Sequence, residues 1–293
     1  MSKTNKEKLP DLNRVPFKTR VRPYLIVAPS LIITIGIMVP FVMAIWYSLT
    51  NFSFKLPAHK FIGLTNWVNV LSSGSTWKAI WVTLLYGVAS TAVEMALGMG
   101  VAMLLNSLNN RFSKIMRVVL ISPLMVAPVT ATIVWQLMLN SSAGIVEKLL
   151  NVFNVYNFPW ASSPKTAMMT VVLIDVWVNT AFVILLVLAG LQSLPKSPFE
   201  SAKIDGGSNW FNFRNLTLPM LRPSLYIALL FRLMAALQEY AVIYALTKGG
   251  FKFQKFGAAL PYILILWLII NVVAKEIVKR QRAAQKQAAG LDE

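Results

Sequence analysis

The chain contains no cysteine and a single histidine, His59, in 293 residues. Disulfides, thiolate metal sites and a cysteine nucleophile are excluded, and with one imidazole so is a histidine-based metal cluster. No G-x-x-x-x-G-K-[ST] phosphate loop occurs either, so any ATP hydrolysis linked to this chain belongs to another polypeptide. Charge is scarce: 13% of residues are Asp, Glu, Lys or Arg, against roughly 25% in an ordinary soluble domain. Carboxylates are scarcer still, eleven against twenty-eight Lys and Arg. His59 falls in a connecting segment, where a surface histidine is the default reading.

Apolar residues take up the remaining space, at 56% of the chain. They fall into blocks of about 18 residues or more, the length that crosses roughly 30 Å of hydrocarbon as a helix. The blocks run over residues 24–49, 79–105, 115–139, 167–191, 224–246 and 257–274. Strands would require polar/apolar alternation, which is missing, whereas helices satisfy every backbone group internally, as lipid demands. The sequence therefore predicts an all-α integral membrane protein of six transmembrane helices. Its divisions are a basic leader (1–23), a membrane domain (24–275) containing a long polar connection (192–223), and a polar tail (276–293). The first apolar block is too long for a signal-peptide core and ends in Trp46, Tyr47 and Phe52, which suit a membrane interface, so an uncleaved helix is expected.

The net charge of +17 is an orientation signal. Nineteen Lys and Arg fall in the leader, the 106–117 and 192–223 connections and the stretch after Ala274, against eight in the alternate connections. By the positive-inside rule both termini face the cytoplasm. A basic stripe interleaved with aromatics is absent, so no nucleic-acid partner is expected; the partner is the lipid bilayer.

Within 192–223, Pro195 and Pro198 end the preceding helix. Residues 199–205 can then form a short helix stopped by Gly206-Gly207, a natural C-terminal cap. Phe199 and Trp210 are bulky apolar groups in a connection facing water, which marks either a partner or the bilayer surface.

From Glu200 the chain reads ESAKIDGG, then SNWFNFRN, then LTLP. This resembles the cytoplasmic loop signature of permease subunits of binding-protein-dependent ABC importers. In that signature a Glu-Ala-Ala triplet is followed after three residues by Gly, and after nine more by Ile-x-Leu-Pro. Glu200, Ser201 and Ala202 take the triplet, Gly206 the glycine, and Leu216 to Pro219 the last element, with Ser201 and Leu216 as mild departures. LAGLQSLP, PYLIVAPS, FIGLTNW, ISPLMVAPV and the Gly249-Gly250 pair resemble the carbohydrate-uptake branch, over residues 22–275. A larger departure follows Gly250, where FKFQKFG leads straight into the last span and the family has a longer segment.

The resemblance implies the membrane-spanning half of a translocation pathway, paired with a second related permease subunit. Cytoplasmic ATPase subunits would carry ATP-Mg, an extracytoplasmic solute-binding protein would deliver the solute, and the setting would be a bacterial cytoplasmic membrane. The chain would bind no cofactor and catalyse nothing itself. Phe199, Glu200, Ser201, Ala202, Gly206, Leu218 and Pro219 would form the ATPase-coupling loop, with Glu200 favourable near the helix dipole and Phe199, Ile204 and Trp210 as anchors.

Ionisable groups inside spans are costly and face an interior or a cavity. Glu94, Asp175, Arg232 and Glu239 qualify, the last two seven residues apart and so on one face of a continuous helix. Asp175, Trp177, Asn179, Gln238, Glu239 and Tyr244 combine amides, carboxylates and aromatics, the inventory of a sugar path. Pairing between helices is the competing reading for all of these charges. The expected solute is a sugar or oligosaccharide. The alternatives are a polyol or glycerol phosphate ester, with Arg232 countering the phosphate, and an ion-coupled secondary carrier using Asp175 and Glu239.

Overall fold

A computed structural model describes residues 17–53, 60–108, 111–160, 163–239, 243 and 256–288. His59, most of the leader, the segment after Gly250 and the end of the tail lie outside the described residues. All regular elements among the described residues are helical: α1 (Phe17–Ser48), α2 (Thr65–Ser72), α3 (Gly74–Ser107), α4 (Arg111–Ile121), α5 (Pro128–Met138) and α6 (Ile145–Val152). They continue as α7 (Pro164–Gln192), α8 (Ser197–Ile204), α9 (Asn209–Asn212), α10 (Leu218–Leu237) and α11 (Phe256–Ala288). One isolated bridge, Thr50 to Phe61, is the nearest thing to a strand.

Among the described residues five helical segments are long and apolar enough to cross a bilayer: Val21–Ser48, Gly74–Ser107, Thr166–Gln192, Asn209–Leu237 and Pro261–Lys286. The expected span at 115–139 is not one straight helix. It is the pair α4 and α5, bent by 101°. Ser122–Met125 forms a single 3₁₀ turn, and Val126 and Ala127 are extended. The cause is local: Pro128 drives the residue before it out of the helical region, so the chain must turn there. The fifth span also shifts. It begins at Asn209 and runs through α9, a π-helical stretch at Phe213–Thr217 and α10. Helix α10 ends at Leu237, with the Gln238 and Glu239 amides bonding to the carbonyls of Ala235 and Ala236, and most of the expected span beyond Glu239 lies outside the described residues. Such i→i−3 bonds close a helix end. At the far end, α11 carries the chain as helix through much of the segment expected to be a polar tail.

Contacts gather the described residues into two units, one around α1 and the loop after it, the other around α3 to α10 and most of α11. In the first, the FIGLTNW motif closes the end of α1. The Asn66 amide donates to the Ser48 and Thr50 carbonyls at 2.8 and 2.9 Å, and the Trp67 indole donates to the Ser48 hydroxyl at 3.2 Å. The Ser48 carbonyl is among those a helix C-terminus leaves without intrahelical donors.

In the second unit α3, α7 and α10 pack against one another. Each pair approaches at a glycine. A Cβ on Gly98 of α3 would sit 2.6 Å from Val183 of α7. One on Gly87 would sit 2.6 Å from Leu237 of α10, and one on Gly190 of α7 2.7 Å from Leu221 of α10. Small residues let helices close in where lipid supplies no hydrophobic drive to associate. Two buried apolar clusters result, one around Ala102, Val183, Val187 and Leu221, the other around Tyr86, Ile174 and Ala236. Met95, Met99, Met103 and Met116 pack around the first, the gap-filling role that suits a flexible thioether. The Ser113 hydroxyl of α4 donates to the Leu105 carbonyl at 2.9 Å, which ties α4 to α3.

Candidate functional sites

Between the two apolar clusters, in sequence position along each of α3, α7 and α10, lies a charge. The Arg232 guanidinium donates to both oxygens of Glu94, from Nε at 2.5 Å and Nη2 at 2.7 Å. Its Nη2 also donates to Asp175 Oδ2 at 3.2 Å, while the Asn179 amide donates to Asp175 Oδ1 at 2.6 Å. Glu94 is 0%, Asp175 1% and Arg232 4% exposed. Tyr86 of α3 is also buried, and its hydroxyl has no hydrogen-bond partner among the described residues. One guanidinium thus ties two carboxylates from two other helices, and every carboxylate oxygen has a donor. A bidentate fork of this kind is geometrically specific as well as strong.

This arrangement bears directly on the solute-path candidates. Asp175 is enclosed by Arg232 and Asn179, so in this conformation its oxygens are engaged by protein. Asn179 is half-buried and bonded to Asp175. Trp177 is more open and meets Trp135 edge-on at 5.8 Å. Gln238 is exposed and Glu239 half-buried, both beyond the end of α10. The helix-face relation expected between Arg232 and Glu239 therefore does not hold, because the helix stops between them. Tyr244 lies outside the described residues. Tyr86 was not singled out in the sequence; a tyrosine in an apolar run is an ordinary packing residue until its neighbours are known.

The second site is the connection after α7. Helix α8 places Glu200 in its first turn and Lys203 in its last, both favourable to the helix dipole. It stops as the glycine pair predicts. Gly206 has φ 76°, its amide bonds to the Lys203 carbonyl at 3.3 Å, and the Gly207 amide bonds to the Ala202 carbonyl at 2.8 Å. This double closure is the Schellman motif, which places a residue of positive φ at its centre. Ser208 then caps α9 by accepting from the Phe211 amide at 3.2 Å. Leu218 and Pro219 sit half-buried where the π-helical stretch passes into α10. Proline lacks an amide, and a widened turn is one way a helix accommodates that gap.

Of the expected anchors, Ile204 is 87% and Trp210 67% exposed, and Phe211, not anticipated, is half open beside them. Phe199 is different. It is half-buried and lines, with Glu200, Lys196 and Lys203, a groove of about 640 Å³ against the ends of α3 and α7. Ser201 is exposed and Ala202 half-buried.

Residues 94–275, well over half of the chain, match the family described as binding-protein-dependent transport system inner membrane component. The trehalose/maltose transport system permease protein of Thermococcus litoralis is 35% identical over 229 residues, which are 78% of this chain and 77% of the relative. The sn-glycerol-3-phosphate transport system permease protein of Escherichia coli is 32% identical over 240 residues, 81% of each chain. Among solved structures, a bacterial ABC transporter involved in the import of the acidic polysaccharide alginate superposes with a TM-score of 0.74 at 19% identity. That alignment covers 91% of this chain and 98% of the other. At that identity the likeness shows a shared fold.

Proposed function

Since the chain belongs to the family of binding-protein-dependent transport inner membrane components, we propose that it forms half of the pathway by which an ATP-driven importer admits a sugar or oligosaccharide. A related permease subunit completes the pathway, and a solute-binding protein delivers the solute. Helix α8 and the chain to Pro219 couple the pathway to cytoplasmic ATPase subunits that hold ATP-Mg. Both termini lie in the cytoplasm of a bacterial cell. The observation that carries this reading is the exposed, C-terminally capped helix α8, with Ile204 exposed at its end and Trp210 exposed on α9 just after it. Exposed apolar and aromatic groups on a rigid element are what a partner's groove buries.

A neutral sugar fits the ionic cluster better than a phosphate ester. The relatives include a permease named for trehalose and maltose and another named for sn-glycerol-3-phosphate. A phosphate would need a free cation in the membrane, yet Arg232 is held by Glu94 and Asp175. The same pairing occupies the Asp175 carboxylate, and membership in this family sets the ion-coupled carrier aside. The test is uptake by the complete complex in proteoliposomes, offered maltodextrins, trehalose and glycerol 3-phosphate in turn. ATP-dependent uptake of a neutral sugar is expected; uptake confined to the phosphate ester would reverse the assignment.

A further inference from the structure

Helix α6 is built inside out for water. Its one carboxylate, Glu147, is 3% exposed and accepts a hydrogen bond from the Phe158 amide at 3.3 Å. Its apolar side chains point the other way. Ile145, Leu149 and Val152 stand on one stripe that Phe153 extends, and Val152 and Phe153 are each 76% exposed. Four large apolar groups at i, i+4, i+7 and i+8 share one helix face. A soluble loop would reverse this arrangement, because a buried carboxylate and an exposed apolar stripe each carry a cost in water.

The preceding helix says where α6 sits. Helix α5 has 11 residues, a rise of about 16 Å, roughly half of a hydrocarbon layer of about 30 Å. Because α4 and α5 are bent by 101°, they cannot both run along the membrane normal. If α5 runs along the normal it covers only about half of that layer, and if α4 does so instead, α5 lies along the plane. Only six residues separate the end of α5 from the start of α6, which keeps α6 next to the apolar, membrane-crossing part of the chain. Helix α5 likewise leaves apolar residues exposed, Ile133 and Leu137 among them.

We infer that α6 is an interfacial helix whose Ile145, Leu149, Val152 and Phe153 face is immersed in the acyl chains of the bilayer. Lipid, not a protein partner, covers it. Tyr156, also exposed just beyond the helix, belongs to the same boundary, where amphipathic rings gather. Lys148 is exposed on the flank and can extend its ammonium toward the headgroups.

The absence of cysteine makes the test direct. Val152→Cys, Phe153→Cys and, as a control, Lys148→Cys are each labelled with an environment-sensitive nitrobenzoxadiazole dye. They are then assembled with cysteine-free partner subunits in lipid nanodiscs. The expected result is blue-shifted emission at 152 and 153, quenched severalfold by phospholipids bearing nitroxides on the acyl chain and little by iodide. The label at 148 should show the stronger iodide response. Two variants guard against local misfolding at either site, and ATP-dependent uptake is checked for each. Strong iodide quenching at both 152 and 153 would overturn the proposal. So would blue-shifted emission that nitroxide lipids leave unchanged, since a protein partner would then be the cover.

Discussion

Arg232 decides whether α3, α7 and α10 hold together, because it is the cation that two buried carboxylates share. Removing one member of a buried pair strands the other charge and costs about 3–5 kcal/mol, whereas removing the whole set can be neutral. Arg232→Met is therefore expected to lower the thermal unfolding midpoint of the detergent-purified complex sharply, as read by tryptophan fluorescence. Adding Glu94→Gln and Asp175→Asn should recover most of the loss. A single variant as stable as the parent would mean that the cluster is not a structural tie. Asn179→Ala frees one Asp175 oxygen without stranding a charge. It is expected to impair uptake while the complex still assembles, and normal uptake with unchanged affinity would place the solute wall elsewhere. The sequence displays these charges because they interrupt apolar runs, but it cannot pair them. Glu94 and Arg232 are 138 residues apart, and only the packing of three helices brings them together.

The short elements were legible where their chemistry is local. The glycine pair stops α8 at the expected place because positive φ is a property of the residue itself. The π-helical stretch and the early end of α10 were not legible, since hydropathy continues through Val242 to Leu246 and is blind to a change in hydrogen-bond register. The α4–α5 bend had a visible signal in Pro123 and Pro128, which the hydropathy of residues 115–139 masked. At this scale the prediction concerns the tip of α8. Ile204→Asp with Trp210→Ala should release the ATPase subunits from purified complex, measured by co-purification, while the permease still reaches the membrane. Since both side chains are exposed, little folding stability is at stake. Retention of the ATPase in the double variant would exclude this surface as the contact.

For the molecule as a whole, the asymmetry of nineteen against eight basic residues makes a topological prediction. Reporter fusions after Asn110 and Gly207 should signal cytoplasm, and those near Ser73 and Ser162 the exterior. The bent α4–α5 pair must then carry the chain across as one span, and a cytoplasmic signal at Ser162 would make it a re-entrant hairpin. Five of the six expected apolar spans and the position of the exposed loop were legible among the described residues, because bilayer thickness imposes them on composition, whereas the third is a bent pair. The way three spans lock through one arginine was not, because it depends on rotation about each helix axis. The central claim is that the exposed loop couples solute arrival to ATP use, and the measurement closest to it is solute-stimulated ATP hydrolysis by the reconstituted complex. A Cβ in the left-handed conformation of Gly206 costs about 1–2 kcal/mol, and a β-branched one more. Gly206→Val should therefore misdirect α8 and abolish stimulation, and Glu200→Ala should weaken it, with both proteins inserted normally. Stimulated hydrolysis and uptake at parental levels in both variants would contradict the account.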